Sequence, residues 1–211
     1  MTETPTVPAL GRRAARKEER RKAIVAVALT VFCEQGYAAT TMSAIAARLG
    51  GSKGTLWCYF SSKEDLFLAV AWEVSGKVAE SVVPLLDTAL PLPEALNRFC
   101  RHFIQTISSA EAITIYRMIV GESGQFPELG QRFRDQNVRR IETALTDFMV
   151  RQIQAGTLHG DNPAMMAASI TSLCQIRAYR DVLWGSDSPD PVRIAEDADF
   201  VTELILKAYR A

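Results

Sequence analysis

Residues 37–68 read YAATTMSAIAARLGGSKGTLWCYFSSKEDLFL. Apolar residues recur at helical spacing in the first half of this stretch, which predicts a short helix with one buried face. These residues are Met42, Ile45, Ala46 and Leu49. Gly50 and Gly51 then predict a sharp reversal, because glycine readily adopts the positive φ angles that such a turn needs. A second short helix follows, and this order is typical of a helix-turn-helix DNA-binding motif.

The second short helix has two different sides. Leu56 and Phe60 are predicted to face inward, which leaves the opposite side open to a DNA groove. The residues on that open side are Lys53, Gly54, Trp57 and Cys58. Thr41 is well placed to cap the first short helix, and Ser52 is well placed to cap the second.

Residues 50–64, GGSKGTLWCYFSSKE, closely resemble the signature of the TetR family of transcriptional regulators. The resemblance extends to further positions and covers about a quarter of the chain. These positions are Phe32, Gly36, Tyr37, Thr40, Thr41 and Leu66. The chain departs from the family pattern at Gly51, Trp57 and Cys58, where Val, Tyr and His are common.

The resemblance implies an all-α protein with an N-terminal three-helix helix-turn-helix DNA-binding domain and a C-terminal helical ligand-binding and dimerisation domain. We predict a disordered basic arm at residues 1–15, the DNA-binding domain at 16–70, and the effector-binding and dimerisation domain at 71–211. About nine helices are expected in total. The first ends near Gln35, where Gly36 serves as a left-handed cap, and the fourth runs from Ser62 to about Val82. The later ones cover about 93–108, 110–121, 127–155, 162–184 and 190–210.

The open side of the second short helix predicts the DNA contacts. Insertion into the major groove would bring Ser52, Lys53 and Thr55 to phosphates and base edges, and Gly54 would allow close approach. The family resemblance implies that Thr41, Trp57, Tyr59 and Lys63 contact phosphates. The candidate DNA-binding residues are therefore Thr41, Ser52, Lys53, Gly54, Thr55, Trp57, Cys58, Tyr59 and Lys63. The alternative, a solvated surface without a partner, is a poor explanation for an exposed Trp beside a Lys.

Charge is distributed unevenly, although the formal net charge of the chain is zero. Residues 1–63 hold 10 Lys or Arg against 4 Asp or Glu, a net charge of +6, whereas residues 64–211 hold 14 against 20, a net charge of −6. A basic N-terminal part is suited to binding phosphates. Its basic run either tracks the DNA backbone or minor groove, or is a solvated charged surface. The run consists of Arg12, Arg13, Arg16, Lys17, Arg20, Arg21 and Lys22.

Neither a cofactor nor a metal site is expected. The four cysteines form no CxxC pair, and His102 and His159 lack metal-ligand spacing. Cys58 has two interpretations: a redox-sensitive thiol near Lys53 and Lys63 that regulates DNA binding, or simply a small side chain. The second is the more common case for a cysteine without a resolving partner.

The N-terminal sequence predicts a cytoplasmic protein. Residues 1–10 are polar and contain proline, unlike a secretory signal. We also expect no membrane segment, because we find no stretch of ~18 apolar residues that would span a bilayer.

The C-terminal part, especially Tyr116 to Trp184, resembles the AefR type of TetR-like regulators. Its segments 121–123 (GES) and 126–129 (FPEL) carry this likeness. The family commonly binds small apolar or amphipathic effectors in this domain. The candidate effector-binding residues are Phe99, His102, Phe103, Tyr116, Arg117, Phe126, Phe133, Cys174 and Arg177. The alternative for each of these residues is an ordinary place in the helical core or on the surface.

The last two predicted helices carry small and apolar residues at a spacing of three or four. These residues are Ala167, Ile170, Cys174, Arg177, Ile194, Ala198, Val201, Ile205 and Tyr209. They predict either a four-helix homodimer interface, as the family uses, or a monomer core. The sequence thus favours a repressor that binds a palindromic double-stranded DNA operator as a homodimer and is released by a small effector. Alternatives are a regulator without effector control, an activator, or a helical enzyme or carrier, for which no catalytic constellation is present.

Overall fold

The computed structural model describes residues 9–51, 53–86 and 89–211, without the side chains of six residues. These six are Ala9, Leu10, Arg12, Lys53, Gln136 and Asn137. Within the described ranges the protein is all-α, with eleven α-helices, which confirms the predicted fold class. The chain divides into two compact units, Met1–Val70 and Ala71–Ala211. We call them the N-terminal and the C-terminal unit.

The helices of the N-terminal unit and its connection are α1 (Ala9–Ala39), α2 (Met42–Arg48), α3 (Lys53–Trp57) and α4 (Lys63–Val82), and α4 crosses the boundary between the units. The others are α5 (Leu92–Ile107), α6 (Ala110–Ser123), α7 (Pro127–Phe133), α8 (Arg139–Gln154), α9 (Pro163–Leu173), α10 (Arg177–Leu183) and α11 (Pro191–Tyr209). A 3₁₀ turn, Val83–Leu85, follows α4, and a π-helical segment, Arg134–Val138, joins α7 to α8.

A small core holds the first three helices together. From α1, the side chains of Ile24, Ala28 and Phe32 are fully buried. Ile45 of α2 and Leu56 of α3 are also fully buried, as the helical spacing predicts. Helices as short as α2 and α3 are unstable alone in water, so this shared apolar core supplies most of their stability.

Two glycines shape the turns between these helices. Gly36 has a φ of 74° and interrupts the helical path of α1, and the Thr40 hydroxyl donates a hydrogen bond to its carbonyl at 2.6 Å. Gly50 has a φ of 68° and ends α2. Gly51 is outside the positive φ region, so the prediction that both glycines of the pair supply this conformation is wrong for Gly51.

The start of α1 differs from the predicted arm. Residues 9–15 form its first two turns, because the Ala, Leu and Arg of this segment are strong helix formers that need no tertiary contact to favour a helix. Residues 1–8, the rest of the predicted arm, lie outside the described residues.

One described helix, Arg13–Ala39, is apolar and long enough to cross a membrane by length and composition, with a mean hydropathy of 1.2 in its most apolar window. A buried core helix meets the same length and composition criterion, so the expectation that the chain has no membrane segment stays a prediction. The apolar face of this helix is nevertheless used in the protein core, where Ile24, Ala28 and Phe32 are shielded from solvent.

The C-terminal unit is a bundle in which α5 packs against α11, and α8 packs against α9. Its core consists of large apolar side chains from all of these helices. The fully buried members include Leu96, Phe99, Ile104, Leu145, Phe148, Met149, Ile170, Ala198 and Val201.

The structure has eleven helices where about nine were predicted, because two long helices are divided. The π-helical segment interrupts the predicted helix 127–155, since a π turn inserts an extra residue into the helical repeat. The predicted helix 162–184 breaks between α9 and α10. At this break the buried carboxylate of Asp197 accepts hydrogen bonds from the Ala178 backbone amide, at 2.8 Å, and from Arg177 Nε, at 2.7 Å.

The predicted dimer interface requires a correction. Seven of its nine residues are buried inside their own unit, so the alternative interpretation, a monomer core, is the right one for them. These are Ala167, Ile170, Cys174, Ile194, Ala198, Val201 and Ile205. Tyr209 packs partly buried against the same core, and Arg177 is paired with Asp197. The apolar residues that α11 exposes are instead Val192, Phe200 and Leu204.

The two neighbouring glycines after α2 should respond oppositely to alanine. Gly50→Ala is expected to destabilise the protein by about 1–2 kcal/mol, because alanine is strained at a positive φ. Gly51→Ala is expected to stabilise by about 0.4–1 kcal/mol, because it restricts the unfolded chain and its Cβ would meet Arg20 Nη2 at an ordinary 3.4 Å. Urea unfolding followed by circular dichroism measures both, and equal effects would contradict the φ assignment.

Candidate nucleic-acid interface and ligand cavity

The outer side of α3 is an exposed surface on a well-packed scaffold. Trp57 is 45% exposed, whereas its neighbour Leu56 is 0% exposed. Gly54 of α3 and Cys58, the residue just after α3, are also exposed. Thr55 is half-buried between the two sides. A large aromatic side chain that is left out of an adjacent core is available to a partner.

Ser52 and the side chain of Lys53 lie outside the described residues, and their DNA-binding roles stay predictions from the sequence. The backbone of Lys53 forms the first residue of α3.

Thr41 has a structural task at the start of α2. Its hydroxyl oxygen accepts a hydrogen bond from the Ala44 backbone amide at 3.1 Å, which confirms the predicted cap. The hydroxyl hydrogen can still donate, because the cap uses only a lone pair of the oxygen. Thr41 is exposed, so this donor is open to an anion from outside.

Lys63, at the start of α4, is held by the end of α1. Its Nζ donates hydrogen bonds to the carbonyl oxygens of Tyr37, at 2.8 Å, and of Ala38, at 3.4 Å. The same Nζ lies 4.2 Å from the centroid of the Tyr37 ring. The Tyr37 ring contacts Phe67 of α4, with 4.9 Å between centroids. An ammonium group has three donors, so one N–H of Lys63 remains for a phosphate.

Tyr59 faces the basic run of α1 across a shallow cleft. The cleft is lined by Tyr59 together with Arg13, Ala14, Arg16 and Lys17. Three cations and a phenol at one cleft form a surface suited to a phosphate backbone. The sequence identifies the basic run and Tyr59 separately but does not show that they meet.

The sequence analysis did not predict two arginine contacts that help to hold the N-terminal unit together. Arg48 of α2 makes a two-pronged pair with Glu34 of α1, at 2.7 and 3.0 Å. Arg21 lies over the ring of Phe60, 5.3 Å from its centroid. These partners are 14 and 39 residues apart in the sequence, so helical periodicity cannot predict that they meet.

The C-terminal unit contains a cavity of about 190 Å³. Its described lining residues are Ala71, Val74, Ser75, Val78, Phe103, Ile107, Ala112, Ile115, Tyr116, Phe133, Val138, Ile141, Glu142, Thr171, Ser172, Gln175 and Tyr179. Phe103, Tyr116 and Phe133 belong to the predicted effector set. Phe133 and Val138 flank or belong to the π-helical segment, a type of irregularity that is frequent at functional sites.

Six predicted effector residues do not line this cavity. Phe99 is fully buried in the core, and so is Cys174. A side-chain hydrogen bond with Cys100 and burial raise the pKa of Cys174, which keeps its thiol neutral. His102 is half-buried on α5, and Phe126 is half-buried before α7.

Two arginines of the predicted effector set are used within the fold. Arg117 donates hydrogen bonds to the backbone carbonyls of Val182 and Leu183 at 2.6–3.0 Å. Arg177 pairs with Asp197 and with Glu196, at 2.7 and 3.1 Å. Both guanidinium groups hold helix ends in place, so neither is positioned to orient a ligand in this cavity.

Sequence reasoning missed several polar residues that line the cavity, of which Glu142 and Gln175 are the largest. Burial and the neighbouring Tyr116 raise the pKa of Tyr179, so its phenol stays protonated. Gln175 lies in the break between α9 and α10, which the sequence did not predict. Glu142 resembles any surface carboxylate in the sequence, because it lies in a stretch of mixed polarity.

Two family models match the chain. Residues 24–70 match the model of the bacterial regulatory proteins of the tetR family. Residues 94–211, which are 118 of 211, match the C-terminal domain of AefR-like transcriptional repressors. The chain therefore belongs to the TetR family: it is a DNA-binding transcriptional regulator and not an enzyme.

Individual relatives agree with this assignment. The chain is 32% identical over 116 residues to the HTH-type transcriptional dual regulator CecR of Shigella flexneri, a match that covers 50% of this chain and 52% of CecR. Its fold is similar to that of a TetR-family transcriptional regulator of Mesorhizobium loti, with a TM-score of 0.82 and 23% identity over 93% and 99% of the two chains. The flavonoid-responsive regulator FrrA gives a TM-score of 0.78 and 28% identity over 92% and 98%.

The position of Lys63 predicts a stability effect. Lys63→Ala is expected to destabilise the protein by about 1–3 kcal/mol, because it removes two charge-assisted hydrogen bonds and a cation–π contact. Lys22→Ala, which removes an exposed lysine from the same unit, should change stability by less than about 0.5 kcal/mol. Urea unfolding without DNA measures both, and equal changes would show that the contacts of Lys63 contribute nothing.

Proposed function

We propose that the protein is a repressor that binds a palindromic operator as a homodimer and is released from DNA by a small apolar or amphipathic effector. The main observation that supports it is the exposed side of α3. There Trp57 and Gly54 face solvent, whereas the adjacent core is buried. As a soluble DNA-binding regulator it would act in the cytoplasm.

The proposed DNA contacts fall into two groups. Trp57, Gly54 and Thr55 of α3 would approach base edges and the sugar-phosphate chain, together with Lys53 and Ser52, whose roles rest on the sequence. Surrounding residues would fix the orientation through phosphates. These are Thr41, Tyr59, Lys63 and the arginines of the cleft, Arg13 and Arg16. Cys58 lies beside them and would add a small contact.

The exposed apolar residues of α11 support a homodimer. Phe200 is 51% exposed and Leu204 is 39% exposed, one helical turn apart. Trp184, just after α10, is 77% exposed. A monomer gains nothing from exposing such side chains, whereas a two-fold interface would bury them. Dimerisation would join two recognition helices for half-sites separated by roughly 34–36 Å or a multiple of it.

The cavity of the C-terminal unit supports effector control. It is mainly apolar and aromatic with a few polar groups, which is usual for small-molecule sites. FrrA, a structural relative, is by its name responsive to flavonoids. An effector would release DNA only if it binds the DNA-incompetent conformation more tightly than the competent one. The continuous helix α4 would carry this difference between the units.

Activation of transcription is a second candidate for the sign of regulation, because the relative CecR is named a dual regulator. The two outcomes differ only in where the operator lies relative to the promoter, so both use the same DNA-binding surface.

Lys53 is predicted to read a base. Lys53→Ala should cost about 1–3 kcal/mol at the specific operator and much less on random DNA. Fluorescence anisotropy with DNA from upstream of its own gene and a scrambled duplex, at two salt concentrations, measures the difference. Lys77→Ala, which removes an exposed lysine of the C-terminal unit, is the matched control and should change neither affinity. Equal losses on both duplexes would refute base reading.

The double variant Phe200→Asp, Leu204→Asp is expected to be monomeric, because two buried carboxylates would oppose their own copies across the two-fold axis. Analytical ultracentrifugation should show a shift from dimer to monomer, and operator affinity should fall at least about tenfold. Val120→Asp changes a similarly exposed apolar residue of α6 and should leave the dimer intact. A double variant that remains dimeric would exclude α11 as the interface.

A further inference from the structure

We propose that the effector is a lipophilic organic cation, held between the carboxylate of Glu142 and the aromatic wall of the cavity. This inference rests on the proposed effector control and specifies the chemistry of that site. Three observations carry it: the charge of the lining, the lack of a partner for Glu142, and the arrangement of the aromatic rings.

The charge of the lining is negative. Among the described residues that surround the cavity, Glu142 is the only one with a formal charge, and no Lys, Arg or His is present. Arg117 lies close enough to Tyr179 to influence its pKa, but its guanidinium donates to the carbonyls of Val182 and Leu183. An anionic ligand would therefore meet a carboxylate and no countercharge.

Glu142 has no partner within the described part of the chain. No hydrogen bond or ion pair reaches its side chain there, although it is half-buried at the cavity wall. The arginine one turn earlier, Arg139, pairs with Asp135 instead, at 3.3 Å. A half-buried carboxylate beside a cavity keeps part of its hydration, and a ligand cation would add an attractive charge pair at that wall.

Four aromatic rings complete the site: Phe103, Tyr116, Phe133 and Tyr179 line the same cavity as Glu142. The faces of such rings attract a cation, and the attraction increases when water is excluded. The raised pKa of Tyr179 keeps the phenol neutral, so its ring offers this attraction without adding a second negative charge. The lining therefore favours cations first, neutral apolar compounds second and anions last.

The size of the cavity limits the ligand. An engineered apolar cavity of about 150 Å³ in another protein holds benzene. The cavity here, of about 190 Å³, suits one aromatic ring with a small substituted ammonium group. Phenyltrimethylammonium is such a probe.

The experiment compares three compounds of nearly the same shape with the full-length protein. Phenyltrimethylammonium is the cation, tert-butylbenzene is its neutral isostere, and 2-methyl-2-phenylpropanoate is the anion with one methyl group replaced by a carboxylate. Isothermal titration calorimetry should show that the cation binds at least about tenfold more tightly than the neutral compound, with the anion weakest. Equal or tighter binding of the neutral compound or the anion overturns the inference, as does binding of none.

Variants test the assigned role of Glu142. Glu142→Gln should weaken binding of the cation by about tenfold or more and leave the neutral compound unchanged. Glu142→Lys should reverse the preference in favour of the anion. Asp147→Asn makes the same charge change as Glu142→Gln on the same helix, outside the lining, and should change nothing. A cation that binds Glu142→Gln as well as the wild type overturns the inference, and circular dichroism confirms that each variant is folded.

A separate readout keeps the inference distinct from the proposed function. Operator binding is measured by anisotropy with and without the cation. Binding of the cation without loss of DNA supports the ligand class and overturns effector release. Loss of DNA with the neutral isostere at equal or lower concentration supports effector release and overturns the cation preference.

Discussion

The contact of Lys63 with the end of α1 is the constraint on which the N-terminal unit depends. The ammonium group lies on the Tyr37 ring and is hydrogen-bonded to the Tyr37 carbonyl, while the ring itself packs against Phe67 and Phe32. These contacts join the start of α4 to the segment just after Gly36, from which α2 begins. The segment of α2 and α3 is thereby held at both of its ends, by the end of α1 before it and by the start of α4 after it.

A five-residue helix such as α3 has no stability of its own, so its exposed side can only be as well ordered as the scaffold beneath it. Leu56 and Phe60 anchor α3 to the core on one side, and the bidentate pair of Arg48 with Glu34 ties α2 to α1 on the other. Trp57 is therefore presented to solvent by a rigid support. The conformational entropy of this surface is therefore lost when the protein folds rather than when it binds DNA. This preorganisation favours affinity.

The sequence predicted what local periodicity and turn chemistry determine. The inward residues of α2 and α3, the Thr41 cap and the break at Gly36 all follow from neighbours within a few positions. Prediction from the sequence failed where both sides of a helix are apolar. In α11, Ala198 and Val201 are buried, whereas Phe200 and Leu204 are exposed. Composition alone does not distinguish these two apolar sides. The cavity residues depend on how α6, α8 and α9 meet, and the π-helical segment that shifts their register has no sequence signature.

Glu142 shows how one charged side chain can produce selectivity. Within the described part of the chain this carboxylate has no partner, so a ligand that brings a positive charge would gain an interaction that a neutral ligand of equal shape lacks. A more apolar wall would bind neutral compounds more strongly but would accept many of them. Linkage then requires that any such ligand which lowers operator affinity is itself bound more weakly when DNA is present, by the same factor. In the proposed mechanism, the polarity of one wall position would thus set which ligands change operator binding.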